Sequence, residues 1–74
     1  MSINSIVKDA QAKVTEMGGG EQFLGKMFDL ATTCGVEAED EVFDWMGDLG
    51  EALEKKGLQL TSVAGKLYAK PKED

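Results

Sequence analysis

Gly57-Leu58-Gln59-Leu60-Thr61-Ser62-Val63-Ala64-Gly65-Lys66-Leu67-Tyr68-Ala69-Lys70-Pro71 is the stretch on which the fold class turns, because helical and extended readings meet in it. Gly57 is a natural stop for a preceding helix. Leu58-Gln59-Leu60 reads as a short extended connector, or as a strand for which the sequence names no partner. Thr61 or Ser62 is placed to cap a last helix over 62–69, with Val63, Ala64, Leu67 and Tyr68 at helical spacing. Pro71 ends that helix and leaves 71–74 as a frayed tail.

Upstream, helical periodicity is stronger. In the third segment, 37–56, Ala38, Val42, Trp45, Met46, Leu49, Ala52 and Leu53 share about 120° of arc at 100° per residue. Lys55 and Lys56 sit in its last turn, where positive charge suits the macrodipole. The second segment, 21–34, carries Phe23, Leu24, Met27, Phe28, Leu30, Ala31 and Cys34, and Gly35 closes it with Val36 placed for the apolar contact that follows such a cap. The first, 3–17, carries Ile3, Ile6, Val7, Ala10, Val14 and Met17 on one stripe. Ser2 or Asn4 caps it and Gly18-Gly19-Gly20 ends it. The expected fold is all-α: a bundle of about four helices (3–17, 21–34, 37–56, 62–69) with short connections, forming a single domain over 1–70.

A chain of 74 residues admits one small domain. Such a domain buries only about 60% of its unfolded surface, which makes oligomerisation or docking physically attractive. There is no histidine and no arginine, and Cys34 is the single cysteine. These absences remove the commonest general base, bidentate phosphate recognition, an internal disulfide and a Cys-x-x-Cys site. No nucleotide-binding glycine pattern occurs. The EF-hand pattern fails, because position 6 of a loop starting at Asp29 is Cys34 and that of a loop starting at Asp40 is Trp45. The expectation is a non-enzymatic protein with no metal and no cofactor. No apolar run spans a bilayer, Met1–Asp9 lacks signal-peptide character, and the lone cysteine suggests a reducing, cytoplasmic compartment.

The net charge of −6 is concentrated. Between 37 and 51 lie Glu37, Glu39, Asp40, Glu41, Asp44, Asp48 and Glu51, with no lysine. Glu37, Glu41, Asp44, Asp48 and Glu51 step by 4, 3, 4 and 3 and line one helical face. Like charges at these spacings cost about 0.2–0.5 kcal/mol per pair. The face is either a solvated surface or a docking surface for a basic protein patch. Carboxylates at helical repeat, about 5–6 Å apart, also approach the phosphate spacing of a nucleic-acid strand, so a DNA mimic is an alternative reading.

Leu30-Ala31-Thr32-Thr33-Cys34-Gly35-Val36 resembles the first helix and turn of a helix-turn-helix. The following segment departs from that pattern. Glu41 and Asp44 stand where buried positions are expected, and it opens on Glu37-Ala38-Glu39-Asp40-Glu41, which phosphates would repel. Direct nucleic-acid binding is therefore not expected, and no family is assigned.

Phe43 lies off the main apolar arc of its helix, with Gly47 and Gly50 on the same side. A glycine inside a helix costs about 1 kcal/mol relative to alanine. Either another helix of the monomer packs there, or a partner does. Trp45 lies on the apolar arc and is expected in the core, its indole N–H reaching a polar edge. The functional expectation is a small acidic interaction module: an adaptor, assembly chaperone or inhibitor. It binds a protein with a basic patch through Glu37, Glu41, Phe43, Asp44, Gly47, Asp48, Gly50 and Glu51, with Trp45 as a further anchor. A homodimer through the Phe43–Gly47–Gly50 face is the attendant expectation, and a structural subunit of a homo-oligomeric assembly a second alternative. No contact with a membrane is expected.

Overall fold

Residues 58–71 form a β-hairpin. A computed structural model describes residues 2–72. Its element order is α1 (Ile3–Glu16), β1 (Gln22–Lys26), α2 (Met27–Thr33), α3 (Glu39–Lys55), β2 (Leu58–Val63) and β3 (Lys66–Pro71). The strands make one antiparallel sheet in the order β1-β3-β2. The fold is therefore α+β, and the all-α four-helix bundle is corrected.

The hairpin follows from an alternation that helical spacing concealed. Leu58, Leu60, Leu67 and Ala69 all turn to the core side, with Leu67 and Ala69 fully buried. Between them, Gln59, Thr61, Tyr68 and Lys70 turn outward, the period of two that a strand imposes. In a helix Leu67 and Tyr68 would be neighbours on one side, whereas in β3 they lie on opposite faces. Ala64 (φ 52°) and Gly65 (φ 75°) both take positive φ between the paired residues Val63 and Lys66. This is the backbone of a two-residue type I′ turn, whose twist matches that of the strands it joins. Pro71 pairs opposite Leu58, and the Lys72 N–H donates to the Gly57 carbonyl at 2.9 Å. The remainder of the expected tail, 73–74, lies outside the described residues.

The second expected helix, 21–34, divides in two. Its first part is β1, in which Phe23 pairs with Tyr68 and the register slips between Phe23 and Gly25. Gly25 has φ 145°, which no helix accommodates, and a Cβ there would stand 3.2 Å from Leu30 Cγ. Only glycine lets β1 pass this close to α2. The Met27 N–H donates to the Gly65 carbonyl at 2.8 Å and ties the hairpin turn to the start of α2.

The other helices fall close to their expected spans. α1 is capped by Ser2, whose Oγ accepts from the Ser5 N–H at 3.3 Å. α2 ends as its sequence suggests: the Val36 N–H donates to Ala31 O at 2.9 Å and the Gly35 N–H to Thr32 O at 3.0 Å, with Gly35 at φ 88°. That is the Schellman closure, with Val36 packed on the core. α3 starts two residues later than expected, at Glu39. It lays Val42, Trp45, Leu49 and Leu53 on the core, where Leu49, Leu53 and Leu67 are the largest fully buried side chains. α2, the Gly35 turn and α3, followed by the β2–β3 hairpin, have the topology of a helix-turn-helix with a wing.

Two substitutions test this backbone by urea unfolding. Gly25→Ala is expected to lower stability by about 1–3 kcal/mol, because alanine is strained at that φ and its Cβ crowds Leu30. Ala64→Gly is expected to raise stability by roughly 1 kcal/mol, because it relieves a left-handed alanine. If 62–69 were helical, Ala64→Gly would instead lower stability by about the same amount.

Candidate functional site

α3 carries the residues that sequence reasoning singled out, and the structure sorts them onto different sides of the helix. Its inner stripe is buried, so the side chains opposite that stripe form an exposed crest. At 100° per residue the crest consists of Asp40, Asp44, Gly47 and Glu51. Phe43 lies on one flank and is 61% exposed. Glu41 and Asp48 lie on the other flank, also exposed. Glu37 precedes the helix in the turn and is exposed as well. Asp40 joins the crest because it stands four residues before Asp44 and seven before Gly47. The sequence reading counted it among the carboxylates without placing it on that face.

Gly47 and Gly50 differ in surroundings. A Cβ on Gly47 would meet nothing within 4 Å, so no helix of the described chain packs there. Gly50 faces β2, where a Cβ would stand 3.8 Å from Leu60 Cδ2, an ordinary contact. No intramolecular contact therefore requires either glycine. Trp45 is buried and cannot serve as a surface anchor, and its indole Nε1 has no hydrogen-bond partner. The expected reach of that N–H to a polar edge is not realised. Cys34 is free and half-buried at the end of α2, packed on the core.

The sheet brings together a second set of residues. Its outer face carries three cross-strand rows: Lys26, Lys66 and Val63; Phe23, Tyr68 and Thr61; and Lys70 with Gln59. The Phe23 and Tyr68 rings lie 5.4 Å apart, inclined at 54°. Phe23 is 49% exposed and Val63 55%. The paired residues of this face include three lysines and no carboxylate, with Glu21 just before β1, one residue beyond the Gln22–Ala69 pair. Among the described residues the one ion pair is Lys13 with Asp9, at 3.1 Å on α1, so neither the α3 carboxylates nor the sheet lysines are paired with a described residue. Lys26 and Phe23 join Lys66, Tyr68 and Lys70 only through the β1–β3 pairing, which no local sequence pattern announces.

Two shallow clefts border α1. One, of about 330 Å³, is lined by Ser5, Ile6, Asp9, Leu24 and Leu30. The other, of about 410 Å³, is lined by Asn4, Val7, Lys8, Gln11 and Lys56. In the first, the Ser5 hydroxyl is hydrogen-bonded to that of Ser2 at 3.2 Å. Among the described residues no group of three His, Cys, Asp or Glu side chains is set to hold a metal ion, and no helix is long and apolar enough to cross a membrane. Compared with family models, curated proteins and solved structures, the chain matches none.

The open surroundings of the two glycines give a direct stability test. Gly47→Ala and Gly50→Ala are each expected to raise the urea-unfolding free energy by about 0.5–1 kcal/mol, the helix-propensity difference with no clash to oppose it. A loss at either position would reveal an intramolecular packing role.

Proposed function

We propose that the protein is a non-enzymatic interaction module whose acidic α3 surface binds a protein partner through a basic patch, as an adaptor, assembly chaperone or inhibitor. The observation that supports this reading best is Phe43, 61% exposed and set beside the bare backbone of Gly47. A large ring next to open space, rimmed by Asp40, Asp44 and Glu51 with no ion-pair partner among the described residues, combines an apolar anchor with charges that orient a basic partner. Glu41 and Asp48 extend the negative field on the flank away from Phe43, and Glu37 extends it ahead of the helix. Local choices that weaken the monomer point the same way. Two interior glycines and a run of like charges are tolerated in α3 although nothing inside the fold uses them.

Direct binding of duplex DNA is not part of this reading, despite the helix-turn-helix topology. The second helix of such a pair places its N-terminal turn against the groove, and here that turn carries Glu39, Asp40 and Glu41. Phosphates would be repelled there. We place the protein in a reducing, cytoplasmic compartment on the strength of its single unpaired cysteine.

Affinity capture on immobilised protein at low and high salt tests the reading. Wild type should retain a basic protein, and Phe43→Ser should weaken that retention by about 30-fold, as for a hot-spot anchor worth about 2 kcal/mol. Asp44→Lys should weaken it mainly at low salt. Equal capture by wild type, Phe43→Ser and Asp44→Lys at low salt would remove α3 from the interface. Displacement of the captured protein by duplex DNA, with Phe43→Ser without effect, would favour the DNA-mimic alternative.

A further inference from the structure

We propose that the outer face of the sheet is a docking surface for the acidic crest of α3 on a second copy of this chain, in a head-to-tail contact. The proposal rests on the reading of α3 as an interaction surface and supplies its partner.

The sheet face is built in a way the monomer does not explain. Lys26 and Lys66 are directly opposite each other on neighbouring strands. Like charges in that position destabilise a sheet, and no carboxylate of the described chain is paired with either. One row further along lie the Phe23–Tyr68 pair and then, beyond it, Lys70. An aromatic strip between rows of cations suits a ligand with an apolar centre and anionic flanks. The α3 surface has that composition: Phe43 and the open Gly47 backbone, with Asp40, Asp44 and Glu51 around them. Gly47 leaves room beside Phe43 for an incoming ring.

The observations favour a protein surface over a nucleic acid as the occupant. Three lysines, no arginine and a chain net charge of −6 are a poor match to a polyphosphate, whose binding depends on many cationic contacts. An acidic helix with a phenylalanine uses both the lysines and the aromatic strip.

The geometry sets the symmetry. Gly50 of α3 faces Leu60, an inner-face residue of β2, so α3 rests on the inner side of the sheet. Its acidic crest and the outer sheet face therefore lie on opposite sides of the molecule. A contact between them is heterologous and joins copies into a ring or an open chain rather than a two-fold dimer.

Sedimentation equilibrium with two variants tests this arrangement. Phe43→Glu removes the helix half of the contact, and Lys66→Glu the sheet half. Both positions are exposed, and far-UV circular dichroism checks that each variant stays folded. Wild type should associate with rising concentration at low salt, and less at high salt. Each variant alone should associate at least tenfold more weakly. An equimolar mixture should recover association and stop at two chains, because one intact sheet meets one intact helix and the remaining halves are both disabled. A mixture that stays monomeric while wild type associates overturns the head-to-tail contact in favour of a two-fold one. A wild type that is monomeric at millimolar concentration overturns self-docking, and leaves the α3 reading intact if capture of another protein still depends on Phe43. Binding of a labelled oligothymidylate by a monomeric wild type, lost in Lys66→Glu, assigns the sheet face to a nucleic acid and overturns the proposal.

Discussion

β3 is the element on which the rest of the structure depends. It is the central strand, paired on one side with β1 and on the other with β2. Its inward residues, Leu67 and Ala69, are fully buried beside Leu49 and Leu53 of α3. Take away the extended conformation of 66–71 and β1 loses its pairing partner, while β2 is left as a lone strand beside α3. Leu67 fixes the register, since a slip of one residue would send Leu67 to solvent and Lys66 or Tyr68 into the core. That single alternation places every residue of the outer face.

The same constraint divides the molecule electrically. With one side of the sheet committed to the core, the residues alternating with Leu67 and Ala69 are forced outward, and they are Lys66, Tyr68 and Lys70. The inner stripe of α3 likewise forces its carboxylates outward. A strongly acidic chain thus presents one face whose paired strand residues include three lysines and no carboxylate. The features that weaken the monomer gather on these two surfaces: opposed lysines on the sheet, and like charges with interior glycines on the helix. The buried indole N–H of Trp45 lies elsewhere, in the core, with no hydrogen-bond partner among the described residues. Nothing in the structure accounts for it.

Sequence made some elements legible and hid others for physical reasons. α1 and α3 are long enough for a 3.6-residue period to stand out, while Ser2 at the start of α1 and Gly35 and Val36 at the end of α2 act through local hydrogen bonds. The strands are five or six residues long, too short for alternation to outweigh helical spacing. β3 contains Ala and Lys, which favour helices, and the turn is Ala-Gly rather than the Asn-Gly or Asp-Gly that announces a hairpin. β1 was read into the following helix because Phe23, Leu24, Met27 and Phe28 share a helical spacing. Only the positive φ of Gly25 separates them. The acidic residues and Phe43 were legible because a helical wheel orders them locally. The aromatic–lysine face was not, because Phe23 and Lys26 join Lys66, Tyr68 and Lys70 through pairing between strands distant in sequence.

The most direct test of a two-faced molecule is a set of amide ¹H–¹⁵N correlation spectra recorded over a range of protein concentrations. Signals of the α3 crest around Phe43 and Gly47 should move together with those of Phe23, Lys66 and Tyr68 on the outer sheet face, while α1 signals stay in place. Shifts confined to one of the two faces, or centred on α1, would contradict the account.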